Sequence, residues 1–157
     1  VSRSGADLAL LMLAGFRAFA DQTTVELAKR GYEDIRPVHD FALHSILSGA
    51  ADASQLGRAM SVTKQAAART ISILEERGYV AREPDAADRR RMRLLVTERG
   101  LAMLREGEAI FDEIRDRWAE QVGVESVAAL ESALRLLVGD NIVRLDSPGW
   151  AARDLDG

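Results

Sequence analysis

The chain contains no cysteine. That absence removes disulfides, thiolate metal sites, cysteine nucleophiles and thiol redox sensing together. Histidine is nearly absent too, with only His39 and His44. Asp40 and His44 are four apart and share a helix face, as metal ligands often do. His39 is five from His44, so the histidines do not face together, and no metal site is expected. No stretch of about 18 apolar residues occurs, so nothing in the sequence reads as a membrane-spanning helix. The opening Val1-Ser2-Arg3-Ser4-Gly5-Ala6-Asp7 carries an acid, runs into a helical pattern and lacks the layout of a signal peptide, so a cytoplasmic location is expected. There is no Ser/His/Asp order, no Gly-rich phosphate loop and no zinc-hydrolase motif. Glu106, Glu108, Asp112, Glu113 and Asp116 have the spacing of a solvated helix face. An enzyme is therefore not expected, and no cofactor is called for.

What is present is a chain of 157 residues, 47% hydrophobic and 29% charged. That suits one domain, or one domain with an added helical part, with a real core. The net charge of −4 argues against nucleic acid until its distribution is read. Residues 61–105 hold ten Lys/Arg against six Asp/Glu, whereas the remainder holds 11 basic and 19 acidic residues. A basic middle lies between acidic ends.

From Asp7 to Arg30, Leu8, Met12, Phe16, Phe19, Thr23 and Leu27 recur at helical steps, and Gly31 ends the pattern. A second helix is expected from Pro37, carrying Phe41, Leu43, Ile46 and Leu47 and stopped by Gly49. Asp52 is expected to cap a short helix over Ala53 to Met60, with Gln55 completing a capping-box-like arrangement. Ser61 is expected to cap the next, Val62 to Arg77, which Gly78 closes. Two helices joined by so short a turn form a helix-turn-helix candidate. The period then changes. Tyr79 to Glu83 and Arg91 to Val96 read as strands of a hairpin around the turn Pro84 to Asp88, with Arg91 and Arg93 on one face and Met92 and Leu94 on the other. Thr97 caps a helix to about Val122 with a stripe of Leu101, Leu104, Phe111, Ile114, Trp118 and Val122. After Gly123 a last helix is expected from Glu125 to about Leu145, carrying Val127, Leu130, Leu134, Leu137 and Ile142. The fold class is mainly α with a small β-hairpin.

A helix entering the major groove needs an apolar inner face and a short-polar or basic outer one. Ala67, Ile71 and Leu74, with Val62, form the inner face. Thr63, Lys64, Gln65, Ala68, Arg69 and Ser72 lie outside. Gln pairs with adenine and Arg with guanine, while alanine permits close approach. Taken alone, this is also the pattern of any solvated amphipathic helix. The hairpin adds to it: Arg89, Arg90, Arg91 and Arg93 cluster at its turn, where a basic loop can straddle the backbone and enter a narrow minor groove. The alternative is that these arginines pair with local acids such as Glu83 and Asp85. A protein-binding winged domain would not need four arginines there.

The run Asp88-Arg89-Arg90-Arg91-Met92-Arg93-Leu94-Leu95-Val96-Thr97-Glu98-Arg99-Gly100 resembles the wing signature of the MarR family, the multiple-antibiotic-resistance regulators: roughly Asp-x-Arg, a short strand, then Leu-Thr-x-x-Gly. Val96 stands where Leu is usual. Leu74-Glu75-Glu76-Arg77-Gly78-Tyr79-Val80 resembles the family's link from recognition helix to wing, and the element order matches across nearly the whole chain. The resemblance implies a winged helix-turn-helix repressor that binds a near-palindromic operator in double-stranded DNA as a homodimer, through interleaved terminal helices. It implies contacts from Ser61, Thr63, Lys64, Gln65, Ala68, Arg69 and Ser72 and from the wing residues Asp88, Arg89, Arg90 and Arg91. Arg90 is then the wing-tip arginine and Asp88 the acid that orients it. The residues alone also suggest a dimer, because a winged domain of about 65 residues cannot cover the terminal apolar stripes, and exposed area on that scale marks an interface. The implied organisation is a dimerisation helix over 1–34, the winged domain over 35–100, dimerisation helices over 101–145 and a flexible tail over 146–157.

The family commonly binds phenolic or aromatic acids between winged domain and dimer helices. Phe16, Arg17, Phe19, His39, Phe41, Ala42 and His44 are the candidates to line such a space, with Arg17 and His39 to hold a carboxylate. Ordinary core packing explains each of them equally well.

Overall fold

The computed structural model describes residues 4–139. Among them are six helices and one hairpin: α1 (Gly5–Lys29), α2 (Pro37–Leu47), α3 (Ala53–Ala59), α4 (Lys64–Glu76), β1 (Val80–Pro84), β2 (Met92–Val96), α5 (Glu98–Val122) and α6 (Val124–Val138). The expected mainly α fold with a small hairpin is what is found.

Helix boundaries follow local chemistry. Ser4 and Asp7 form a reciprocal capping box, each backbone N–H donating to the other's side chain at 3.2 Å. α1 therefore starts earlier than its apolar pattern. Its far end turns at Gly31, where φ is +91°. α2 opens on Pro37, and the Arg36 N–H donates to His39 Nδ1 at 3.1 Å, so His39 fills the place usually taken by Glu or Gln. Leu47, the last of the apolar residues expected on α2, is exposed, because it lies one residue and about 100° beyond Ile46. α6 stops at Val138 before Gly139 (φ +80°), short of the expected Leu145. Ile142, Leu145 and the expected flexible tail 146–157 lie outside the described residues.

The core joins the end of α1 to α2, α3, α4, the hairpin and α5, through Leu27, Leu43, Leu56, Ile71, Leu74, Tyr79, Met103, Ile110 and Ile114. Each such side chain contributes about 1.5–3 kcal/mol by leaving water. β1 and β2 pair antiparallel from Val80↔Val96 to Pro84↔Met92. Leu94 and Val96 face inward, and Arg93 and Leu95 outward. Met92, expected beside Leu94, is exposed because it pairs with Pro84 at the end remote from the core.

The base of the hairpin is tied on several sides. The Leu94 N–H donates to the Ala51 carbonyl at 2.9 Å, adding a rung from the α2–α3 connection. The Thr97 N–H donates to the Tyr79 carbonyl at 3.0 Å. The Thr97 hydroxyl donates to the Gly78 carbonyl at 2.6 Å and accepts from the Gly100 N–H at 3.1 Å. A Cβ on Gly100 would fall far inside contact with the Tyr79 carbonyl oxygen and 2.7 Å from Val96 Cγ1. Helix α5 can seat against the hairpin only with glycine there.

Candidate nucleic-acid interface

The two helices α3 and α4 meet through a turn whose chemistry differs from expectation in one respect. Asp52 caps α3, accepting from the Gln55 N–H at 2.8 Å, and Gln55 reaches back to the Ala51 N–H at 2.9 Å. Ser61 caps nothing. It sits in the turn with φ +53°, and Thr63 caps α4 by accepting from the Ala66 N–H at 3.1 Å. The cause lies in Gly57, whose added Cβ would lie 3.0 Å from the Val62 carbonyl. The chain passes so close to α3 that it must turn left-handed at Ser61 before a second helix can begin.

α4 presents two faces. Ala67, Ile71 and Leu74 are buried, whereas Thr63, Lys64, Gln65, Ala68, Arg69 and Ser72 are exposed. The Ser72 hydroxyl donates to the Ala68 carbonyl at 3.0 Å. Charge is graded along the helix. Lys64 and Arg69 occupy its first half; Glu75 and Glu76 close it. Glu75 is held by both Nε and a terminal nitrogen of Arg82, at 2.7 and 3.2 Å, which raises the guanidinium pKa further above its ordinary range. Arg58, on the last turn of α3, is exposed as well. The sequence reading passed over it, although the first helix of such a pair crosses the phosphate backbone.

The hairpin arginines divide. Arg93 pairs with Glu83, its cross-strand partner. Arg89, Arg90 and Arg91 are exposed, and among the described residues their side chains have no carboxylate partner. Arg91 precedes β2 and so lies outside the strand alternation expected for it. The turn is organised by its acids. Asp85 Oδ1 accepts from the Ala87 N–H at 2.7 Å, and Asp88 Oδ1 accepts from the Arg90 N–H at 3.1 Å. Asp88 thus positions the backbone of Arg90, not its guanidinium.

A cavity of about 210 Å³ lies among α1, α2 and α5. Phe16, Phe41 and Phe111 line it, together with Thr23, Thr24, Arg36 and Asp40. Of the expected lining, Phe16 and Phe41 are there; Arg17, His39 and His44 are not. His39 is buried at the start of α2, Arg17 is exposed on α1, and Ala42 is in the core. Phe19 instead packs edge-on against Trp118, with ring centres 4.6 Å apart. His44 Nε2 stands 3.7 Å from Asp40 Oδ2. Burial raises the Asp40 pKa, His44 pulls it back, and Glu108 adds to the rise. No group of three or more potential metal ligands occurs among the described residues.

The sequence profile of the MarR family matches residues 41–91, which run from α2 through the helix pair to the turn of the hairpin. Over that stretch the chain is similar to the MarR family. Solved structures share the fold over most of the chain. The YusO protein of Bacillus subtilis is 22% identical, with 88% of this chain and 99% of YusO covered and a TM-score of 0.65. A mutant of MepR from S. aureus, bound to an oligodeoxyribonucleotide, is 16% identical over 83% of this chain and 95% of its own, with a TM-score of 0.59. CouR from Rhodococcus jostii, bound to p-coumaroyl-CoA, is 20% identical over 91% and 99%, with a TM-score of 0.59.

In this MarR-type fold the terminal helices leave much apolar surface open. Leu11 of α1 and Leu136 and Leu137 of α6 are 69%, 87% and 80% exposed. A groove of about 580 Å³ among α1, α5 and α6 is lined by Leu8, Met12, Trp118, Leu130 and Leu134. None of the described helices is long and apolar enough to cross a membrane.

Proposed function

We propose that the protein is a homodimeric transcriptional repressor that acts in the cytoplasm, binds a palindromic operator and releases it when a small aromatic ligand enters the cavity beside α2. One observation carries the DNA reading. The exposed face of α4 and three arginines without carboxylate partners project from one winged unit, while the neighbouring Arg82 and Arg93 are neutralised by Glu75 and Glu83. Base edges in the major groove suit Gln65 and Arg69, and the minor groove suits Arg89 to Arg91. The acids at the end of α4 favour entry by its first half. The apolar surface of α1 and α6 supports a second copy as the partner, since solvated patches of this size mark interfaces. MepR with its oligodeoxyribonucleotide and CouR with its CoA ester share the fold, which supports both halves of the reading.

The test is selection of bound genomic DNA, followed by fluorescence anisotropy on the selected duplex. A dimer should bind two half-sites about 34–36 Å apart, with affinity falling steeply as salt rises. Equal affinity for all sequences, or a flat salt response, refutes the reading.

A further inference from the structure

The cavity beside α2 has a chemical bias that its position does not dictate. Its walls are aromatic and aliphatic: Phe16, Phe41 and Phe111, with Leu27 and Ile35. The Thr23 hydroxyl donates to the Phe19 carbonyl at 2.8 Å, and the Thr24 hydroxyl to the Ile35 carbonyl at 2.9 Å. Both hydroxyl protons are committed, so each oxygen offers only lone pairs to an occupant. The remaining polar liners are Asp40 and Arg36. Arg36 is exposed and already has a partner, whereas Asp40 is the more buried of the two. The cavity is therefore lined by two hydroxyl acceptors, one carboxylate, three aromatic rings and, from an exposed residue, the Arg36 side chain. An anionic ligand would stand against Asp40, and the one cationic liner, Arg36, belongs to an exposed residue that is already engaged. An ammonium finds a counter-ion in Asp40, the hydroxyl acceptors of Thr23 and Thr24, and aromatic walls whose faces attract cations.

We propose that this cavity takes a small aromatic cation, one ring bearing a short ammonium or amidinium arm, with Asp40 as its counter-ion. This deepens the effector half of the proposed function and reverses the ligand charge expected from the sequence. The volume of about 210 Å³ is below the roughly 300–1,000 Å³ of drug-sized sites, which restricts the occupant to a single ring. Burial makes ionising this carboxylate costly; His44 offsets part of that cost, Glu108 adds to it, and a bound cation offsets more. A carboxyl perturbed by desolvation in a cleft is what a binding site of this kind provides.

The experiment is titration calorimetry on the full chain with three probes of similar size: phenethylamine, hydrocinnamate and phenethyl alcohol. Phenethylamine should bind at least about ten-fold more tightly than hydrocinnamate, a difference of about 1.4 kcal/mol. In Asp40→Asn the affinity ratio of amine to alcohol should fall toward one, and Asp40→Glu should restore part of it. Equal or tighter binding of hydrocinnamate overturns the proposal. So does an unchanged ratio in Asp40→Asn, or failure of all three probes at millimolar concentration. Operator binding by the unliganded protein is measured on the same preparation. If it persists while the amine fails, the cation site alone is wrong. If it is absent while the amine binds, the regulator reading is wrong and the site stands.

Discussion

Two glycines on α5, seven residues apart, should respond oppositely to the same methyl group. Gly100 and Gly107 are both buried and helical. Replacing a helical glycine with alanine gains about 0.8–1.0 kcal/mol of helix propensity. At Gly107 nothing lies within 4 Å of the new Cβ, which would project toward the cavity that Gly107 lines. Gly107→Ala should keep the whole gain and raise the melting temperature by about 2–4 °C. At Gly100 the new Cβ meets the Tyr79 carbonyl and Val96 Cγ1. The carbonyl already accepts from Thr97 at 3.0 Å, so it cannot retreat without loosening the seat of α5 on the hairpin. Overpacking of this kind costs about 1–3 kcal/mol, and contact with fixed backbone lies at the upper end. Gly100→Ala should therefore lose about 1–2 kcal/mol net of the propensity gain. Thermal unfolding by circular dichroism at one fixed protein concentration reads both, since the proposed dimerisation would make melting concentration-dependent. If the two variants shift in the same direction, the steric account of Gly100 is wrong.

Arg90→Ala should leave the melting temperature nearly unchanged, weaken operator binding and lower the salt slope by about one if the guanidinium meets a phosphate, all read by anisotropy. Asp88→Ala frees the Arg90 N–H, so specific binding should weaken while binding to random duplex stays equal or strengthens; tighter binding to both would show that Asp88 acts only through its charge. Thr63→Ala should cost about 1 kcal/mol in chemical denaturation as a lost cap, whereas Ser61→Gly, at a left-handed position, should cost nothing or stabilise. The raised pKa of Asp40 means that the folded state holds its proton more tightly than the unfolded chain. Its contribution is therefore fully present below the ordinary carboxylate range and is lost as pH rises through the raised value. Asp40→Asn should consequently melt higher than the parent at neutral pH, with the gap closing in acid; a gap that widens in acid would make the His44 contact dominant.

Periodicity and cap residues were enough to order the elements and to assign the outer face of α4, because an amphipathic helix on a core has only one way to lie. They could not choose between Ser61 and Thr63 as the cap. Both residue types cap well, and the choice is made by Gly57 bringing α3 close to the turn. The cavity was half legible for a similar reason. Phe16 and Phe41 face it as their helical spacing allows. Which polar neighbours join them depends on how α1 crosses α2, and that crossing admits Arg36 and Asp40 while turning Arg17 outward and His39 into the core. Arg93 is a third instance. It belongs by sequence to the arginine cluster, and pairing register alone removes it by setting it opposite Glu83.

The hairpin is tied to the rest of the fold at Ala51, Tyr79 and Thr97, whereas from Asp85 to Arg91 its bonds stay within the turn. For heritable variation this divides one element into two regimes. A change at the base is screened first by folding, since it disturbs α5 and the core before any DNA is met. A change at the tip passes that screen untouched and is judged only by what it contacts. Under the proposed function, operator preference would therefore drift through the tip in single steps, each viable in a folded protein, while the frame that carries it stays fixed.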